Sequence, residues 1–95
     1  MRQVEVSCSP AAAGWLCKVT VMEDDTRTDH DVSVSRAELD FFDEEATEPT
    51  ELVRASLDYL LAREPKEAIL RRFALSDIGR YFPDYSTEIR ARLRG

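Results

Sequence analysis

Asparagine is absent from this 95-residue chain, and glycine, histidine and lysine are scarce, with three, one and two residues. Each shortage excludes something. Gly14, Gly79 and Gly95 are too isolated to build a G-x-G-x-x-G turn or a P-loop around a phosphate. His30, the only histidine, has no nucleophile motif to serve as its general base. The two cysteines, Cys8 and Cys17, are nine positions apart and form no C-x-x-C redox or zinc pattern. No apolar run approaches the ~20 residues needed to cross a bilayer, and Met1–Pro10 lacks the apolar stretch of a secretory signal. The expectation is a cytoplasmic protein with no membrane association. Cys8 and Cys17 are then reduced, buried thiols acting as small hydrophobes. Eleven arginines against two lysines, with no asparagine, point to a GC-rich, bacterial genome.

What is present suits a globular fold: 43% hydrophobic and 34% charged residues. A chain this short buries roughly 65% of its unfolded surface, enough for one core but too little for a deep catalytic cleft. Net charge is −6 and unevenly spread. Met1–Ala62 holds fourteen acids and five bases, a net −9, whereas Arg63–Gly95 holds five acids and eight bases, a net +3. Nucleic acid is disfavoured as a partner, because counterion release needs a dense basic face.

Alternation of apolar and polar residues marks three strands. Val4, Val6 and Cys8 form the first inward set. Trp15, Cys17, Val19 and Val21 form the second, and Thr28, His30, Val32 and Val34 the third. Ser9–Gly14 reads as a loop and Glu23–Thr26 as a tight turn. The short connections imply a three-stranded antiparallel meander with one apolar face to be covered by helices.

Ser35 and Glu38 form a capping box that opens a helix to about Asp43. Asp40, Asp43, Glu44, Glu45 and Glu48 lack the central glycine and alternating oxygens of a calcium loop and read as a solvated linker. The longest predicted helix runs from about Pro49 to Arg63, with Leu52, Val53, Leu57, Leu60 and Leu61 as its stripe. Pro65 opens another, Lys66 to about Phe73, with Ile69, Leu70 and Phe73 inward. Ser76 caps a short turn through Tyr81, and Pro83 opens a last helix with Tyr85, Ile89 and Leu93 inward. The fold class is therefore a single α+β domain over residues 1–95. A β-meander occupies residues 1–35, and four or five short helices over 36–95 pack on one sheet face.

His30 lies between Asp29 and Asp31, but strand alternation sends both aspartates to the opposite face, so the three do not converge on a metal. A structural histidine at the sheet rim is expected, with no metal, cofactor or catalytic residue. Two helices joined near Leu75 invite a helix-turn-helix reading. The second is short, contains Gly79 and carries Ile78, Tyr81 and Phe82, which suit packing rather than base edges. Arg71, Arg72, Arg80, Tyr81 and Tyr85 are the candidate partner-binding residues, since Arg and Tyr are favoured interface anchors.

The segment Arg63–Tyr85 resembles the end of a family of small bacterial proteins of uncharacterised function, which share R-E-P-K-E, I-L-R-x-F-x-L and I-x-x-Y-F-P-x-Y. The resemblance extends over Ser33–Ile89 and implies no activity, cofactor or site. A second similarity, to antitoxin-like domains of the HicB kind, rests on a small sheet followed by an amphipathic helix. The chain lacks their Gly-rich, Pro-bearing strand segment. The expected function is a non-enzymatic protein-interaction domain whose partner is another protein or a second copy. The alternative is a nucleic-acid-linked or antitoxin-like regulator using the basic C-terminal helices.

Overall fold

A computed structural model describes residues 1–94. The three alternating segments form β1 (Arg2–Ala11), β2 (Gly14–Glu23) and β3 (Thr26–Ser35), paired antiparallel as the period-two pattern requires. Register aligns the inward sets across the sheet: Val6, Val19 and His30 in one row, Cys8, Cys17 and Val32 in the next. Both hairpins close through two-residue turns, Ala12–Ala13 and Asp24–Asp25. Asp24 takes a φ of 55°, a left-handed conformation that aspartate tolerates better than most residues. Gly14 is needed for close approach, because a Cβ there would lie 2.1 Å from the Val34 carbonyl oxygen of β3.

Ser9–Ala11, expected in a loop, instead completes β1. Counting from the Ala11–Gly14 pair that closes the turn, Pro10 falls at a position whose N–H would point away from β2, so proline costs the ladder nothing.

Cys8 and Cys17 correct a second expectation: they are joined in a disulfide, not held as free thiols. Alternation placed both on the core side, as expected, and the register then sets them directly opposite each other. Cys17 is fully buried and Cys8, on the edge strand, only half-buried.

The capping box forms as expected: Ser35 Oγ accepts from the Glu38 N–H at 3.0 Å, and Glu38 Oε1 accepts from the Ser35 N–H at 2.7 Å. It opens α1 (Arg36–Phe42). After the acidic loop comes α2 (Thr50–Leu61), which lays Leu52, Val53, Leu57 and Leu60 over the apolar side of the sheet. A single apolar core, from Trp15 to Ile89, lies between the two layers.

The segment after α2 departs most from expectation. No helix spans Lys66–Phe73. A 3₁₀ turn at Lys66–Ala68 leads into an extended chain and then β4 (Arg72–Ala74), which pairs parallel to β3, Asp31 with Arg72 and Val32 with Phe73. The sheet is therefore four-stranded and mixed, in the order β1-β2-β3-β4. The helix-turn-helix reading falls with it, since its first helix is absent. A 3₁₀ turn at Leu75–Asp77 precedes α3 (Ile78–Tyr81), and α4 (Tyr85–Arg94) packs mainly on α2 and α1.

Candidate functional site

Two buried polar side chains hold the extended segment in place. Lys66 is only 3% exposed. Its ammonium donates to Thr26 Oγ1 at the β2–β3 turn and to Glu67 Oε2 at 2.7 Å, tying the 3₁₀ turn to the end of the sheet. The lysine bond holds the exposed Glu67 carboxyl below the usual carboxylate range. Further along, His30 Nδ1 donates to the Leu70 carbonyl at 2.8 Å, while Nε2 faces Thr28 Oγ1 at 2.8 Å. His30 is thus fully buried rather than at a rim, with both ring nitrogens engaged. The Asp31 N–H donates to the Arg71 carbonyl at 2.7 Å and starts the parallel pairing.

This pinning decides which way the apolar side chains face. Ile69 and Phe73 turn inward, but Leu70, expected inward on a helix, is 55% exposed. After β4, Asp77 Oδ2 accepts from the Ala74 N–H at 3.1 Å and closes the chain back towards α3. Ile78 is buried there, while Tyr81 projects outward at 69% exposure. Between these two projecting side chains lies a groove of about 220 Å³. Leu60, Ile69, Phe73 and Ile78 form much of its lining, and Glu64 and Asp77 add the carboxylates.

Behind the groove, the start of α4 is locked to α2. Tyr59 donates its hydroxyl to Asp84 Oδ1 at 2.6 Å, and the Arg63 guanidinium lies 3.6 Å from the Tyr59 ring centre. Arg63 also approaches Asp84 at 3.6 Å and Glu88 at 3.8 Å. Burial, reinforced by the Asp84 bond, pushes the Tyr59 phenol up to about 12. The same bond, with the Arg63 charge, holds Asp84 below its ordinary value. Tyr85 donates to Ser56 Oγ at 2.7 Å, since Ser56 spends its own proton on the Leu52 carbonyl at 2.8 Å. Burial raises the Tyr85 phenol.

The five expected partner-binding residues therefore separate. Tyr85 is a core residue and offers nothing to a partner, which corrects its place in the set. Tyr81 stands at the groove. Arg71 and Arg80 are exposed beside Leu70 and Tyr81 in sequence. Arg72 alternates with inward Phe73, so it lies on the open side of the sheet, its Nε 3.7 Å from Asp31 Oδ2. Arg90, in the helical layer, stacks on Phe41 at 4.8 Å. Arg72 and Arg90 thus belong to opposite layers.

The outward turn of Leu70 has no local signal, because the run I-L-R-R-F fits a helical stripe as well as a short strand and period alone does not separate them. The burial of Lys66 has none either, because its partner Thr26 lies forty positions away. The Tyr59–Arg63 contact had a signal, the i,i+4 spacing on one helix face. Among the described residues, no three His, Cys, Asp or Glu side chains are grouped to hold a metal, and no helix is long and apolar enough to cross a membrane. No protein-family model matches the chain, and neither the curated proteins nor the solved structures searched contain a significant match to it.

Proposed function

We propose that this chain is a non-enzymatic protein-interaction domain that receives an apolar side chain of a partner protein in the groove between Leu70 and Tyr81. One observation carries the reading: two large apolar side chains, 55% and 69% exposed, flank a preformed apolar recess. A single exposed leucine is ordinary, but two bracketing one concavity resemble the anchor pocket and rim of an interface. Arg71 and Arg80 adjoin the rim residues in sequence and add polar contacts outside the recess. Nucleic acid suits this surface poorly, because the recess is apolar and its polar lining includes two carboxylates.

The Arg63–Tyr85 run supplies most of the groove, so proteins that share the run are proposed to share the recess. The disulfide makes location a redox question. An oxidising compartment keeps the Cys8–Cys17 bond, and a reducing one opens it while leaving the pair in register.

The reading is tested by affinity capture from the native host with wild type, Leu70→Asp, Tyr81→Ser and Phe41→Ser. Phe41 is exposed but does not line the groove. The same protein should be recovered by wild type and Phe41→Ser and lost with both groove variants. Recovery that survives both groove variants overturns it.

A further inference from the structure

β1 is ten residues long and pairs with β2 alone, so its other edge carries no strand among the described residues. Proteins usually blunt such an edge with a proline, a charge, a bulge, a covering element or a short length. This edge has two such devices, Pro10 and the Arg54 guanidinium on the Val4 carbonyl, and neither blocks the stretch from Glu5 to Ser9. Here the inward residues are Val4, Val6 and Cys8, all only half-buried.

We propose that β1 is the interface through which two copies of this chain pair antiparallel, forming one continuous eight-stranded sheet. Donors and acceptors along this edge fit such a pairing. Counting from the two-residue turn, odd-numbered residues of β1 bond to β2, and even-numbered ones direct N–H and C=O outward. The geometry of Arg54 supports that count: its Nη1 reaches the Val4 carbonyl at 2.8 Å, an oxygen the ladder has left free. Pro10 is the other even position with a special chemistry, since it has no N–H.

In one antiparallel register these two peculiarities cancel. Set Ser7 opposite Ser7 of the second copy. Val6 then exchanges both backbone bonds with Cys8 of the second copy, and Cys8 with its Val6. Val4 lies opposite Pro10 of the second copy, and its N–H donates to that proline's carbonyl. The one missing donor is the proline nitrogen. The acceptor it would have served is the Val4 carbonyl, already filled by Arg54. The register centred on Val6 instead makes Arg54 and the Cys8 N–H compete for that same carbonyl. Side chains agree with the first register. Val6 meets Cys8 and Val4 meets Pro10 on the inner side, and Glu5 meets Ser9 on the open side, so no like charges face each other. The symmetry is that of an isologous two-fold dimer. The edge is separate from the Leu70–Tyr81 groove.

Ser7→Asp tests the register. Within one chain, position 7 lies opposite Lys18, so the aspartate has a favourable neighbour and the fold is preserved. Across the two-fold it faces its own copy, and like charges directly opposite repel. Sedimentation of the wild-type chain should show a monomer–dimer equilibrium at sub-millimolar concentration. Ser7→Asp should weaken it by roughly twofold to fivefold, through direct repulsion at a single cross-strand pair. Ser7→Lys faces Lys18 of its own chain, so its folding is checked by a thermal melt. It should weaken the dimer in the same way, and an equal mixture of the two variants should restore dimers. Leu70→Asp should leave dimerisation unchanged, which separates this interface from the groove. A wild-type chain that stays monomeric at sub-millimolar concentration overturns the proposal. So does a dimer that neither charge variant weakens.

Discussion

His30 Nδ1 lies 2.8 Å from the carbonyl oxygen of Leu70, forty positions along the chain, and this bond fixes the outward turn of the Leu70 side chain. Replacing the ring by His30→Leu keeps an apolar filler but removes both of its hydrogen bonds. The Leu70 carbonyl and Thr28 hydroxyl lose their partner, at a cost of about 1–3 kcal/mol for each group left buried and unpaired. Denaturant melts should show that loss. The Asp31 amide, which donates to Arg71, should exchange faster than its neighbours in β3. A melt within about 0.5 kcal/mol of wild type, the range of neutral surface changes, would mean that the bond does not hold β4.

The glycines at 14 and 79 should respond in opposite directions to alanine. At Gly14 a methyl group collides with the Val34 carbonyl, which is backbone and cannot step aside, so Gly14→Ala should destabilise by about 1–3 kcal/mol through overpacking. At Gly79, in α3, nothing lies within 4 Å of an added Cβ. Gly79→Ala should be neutral or stabilise by up to about 1 kcal/mol through helix propensity. Thermal unfolding of the two variants side by side is the check, and equal effects would contradict the close approach at Gly14.

Tyr59 predicts an alkaline limit to stability. Its folded value is raised from 10.0 to about 12, so the unfolded chain gives up this proton first as pH rises. Stability from the protonated phenol is complete below pH 10 and falls as pH climbs towards about 12. Urea midpoints of wild type and Tyr59→Phe should therefore converge across that interval. The phenolate absorbance titration of the variant should lack a component near pH 12. A constant gap between the two proteins at every pH would show that the Tyr59 proton is not linked to folding.

Removing the disulfide should cost stability through the unfolded chain. For a loop of nine or ten residues, the entropy lost on cross-linking corresponds to about 2–3 kcal/mol. A Cys8→Ser, Cys17→Ser double variant should melt lower by that amount. A dithiol should lower the wild type similarly and leave the variant unchanged. Maleimide labelling of native, unreduced protein should find no thiol, and two labelled cysteines per chain would contradict the pairing.

The legible parts of this fold are those governed by local period. Val4-Val6-Cys8, Trp15 to Val21 and Thr28 to Val34 alternate strictly, so the meander and its inward face could be read directly. The Ser35–Glu38 box and the Leu52–Leu61 stripe were equally plain, since capping and helical spacing are set within one turn of chain. Tyr81 was recognised as a candidate contact, but the recess beside it was not. Its Leu70 rim depends on a three-residue strand too short to show a period.

The sequence alone determined an α+β domain with a three-stranded antiparallel meander, its core face and its main covering helix, because alternation and the helical repeat are encoded among near neighbours. Tertiary structure alone decided the rest. Ile69–Phe73 carries a pattern that helix and strand accept equally, and the choice fell to His30 and the Asp31 amide, which take the Leu70 and Arg71 carbonyls. Cys8 and Cys17 became a disulfide because the hairpin register put them face to face, a register fixed by a turn two residues long. The inward position of Tyr85 follows from the spacing of the last helix, but its hydroxyl partner, Ser56 on α2, does not. In each case the deciding partner lies far along the chain or depends on strand register, and a local reading cannot see it.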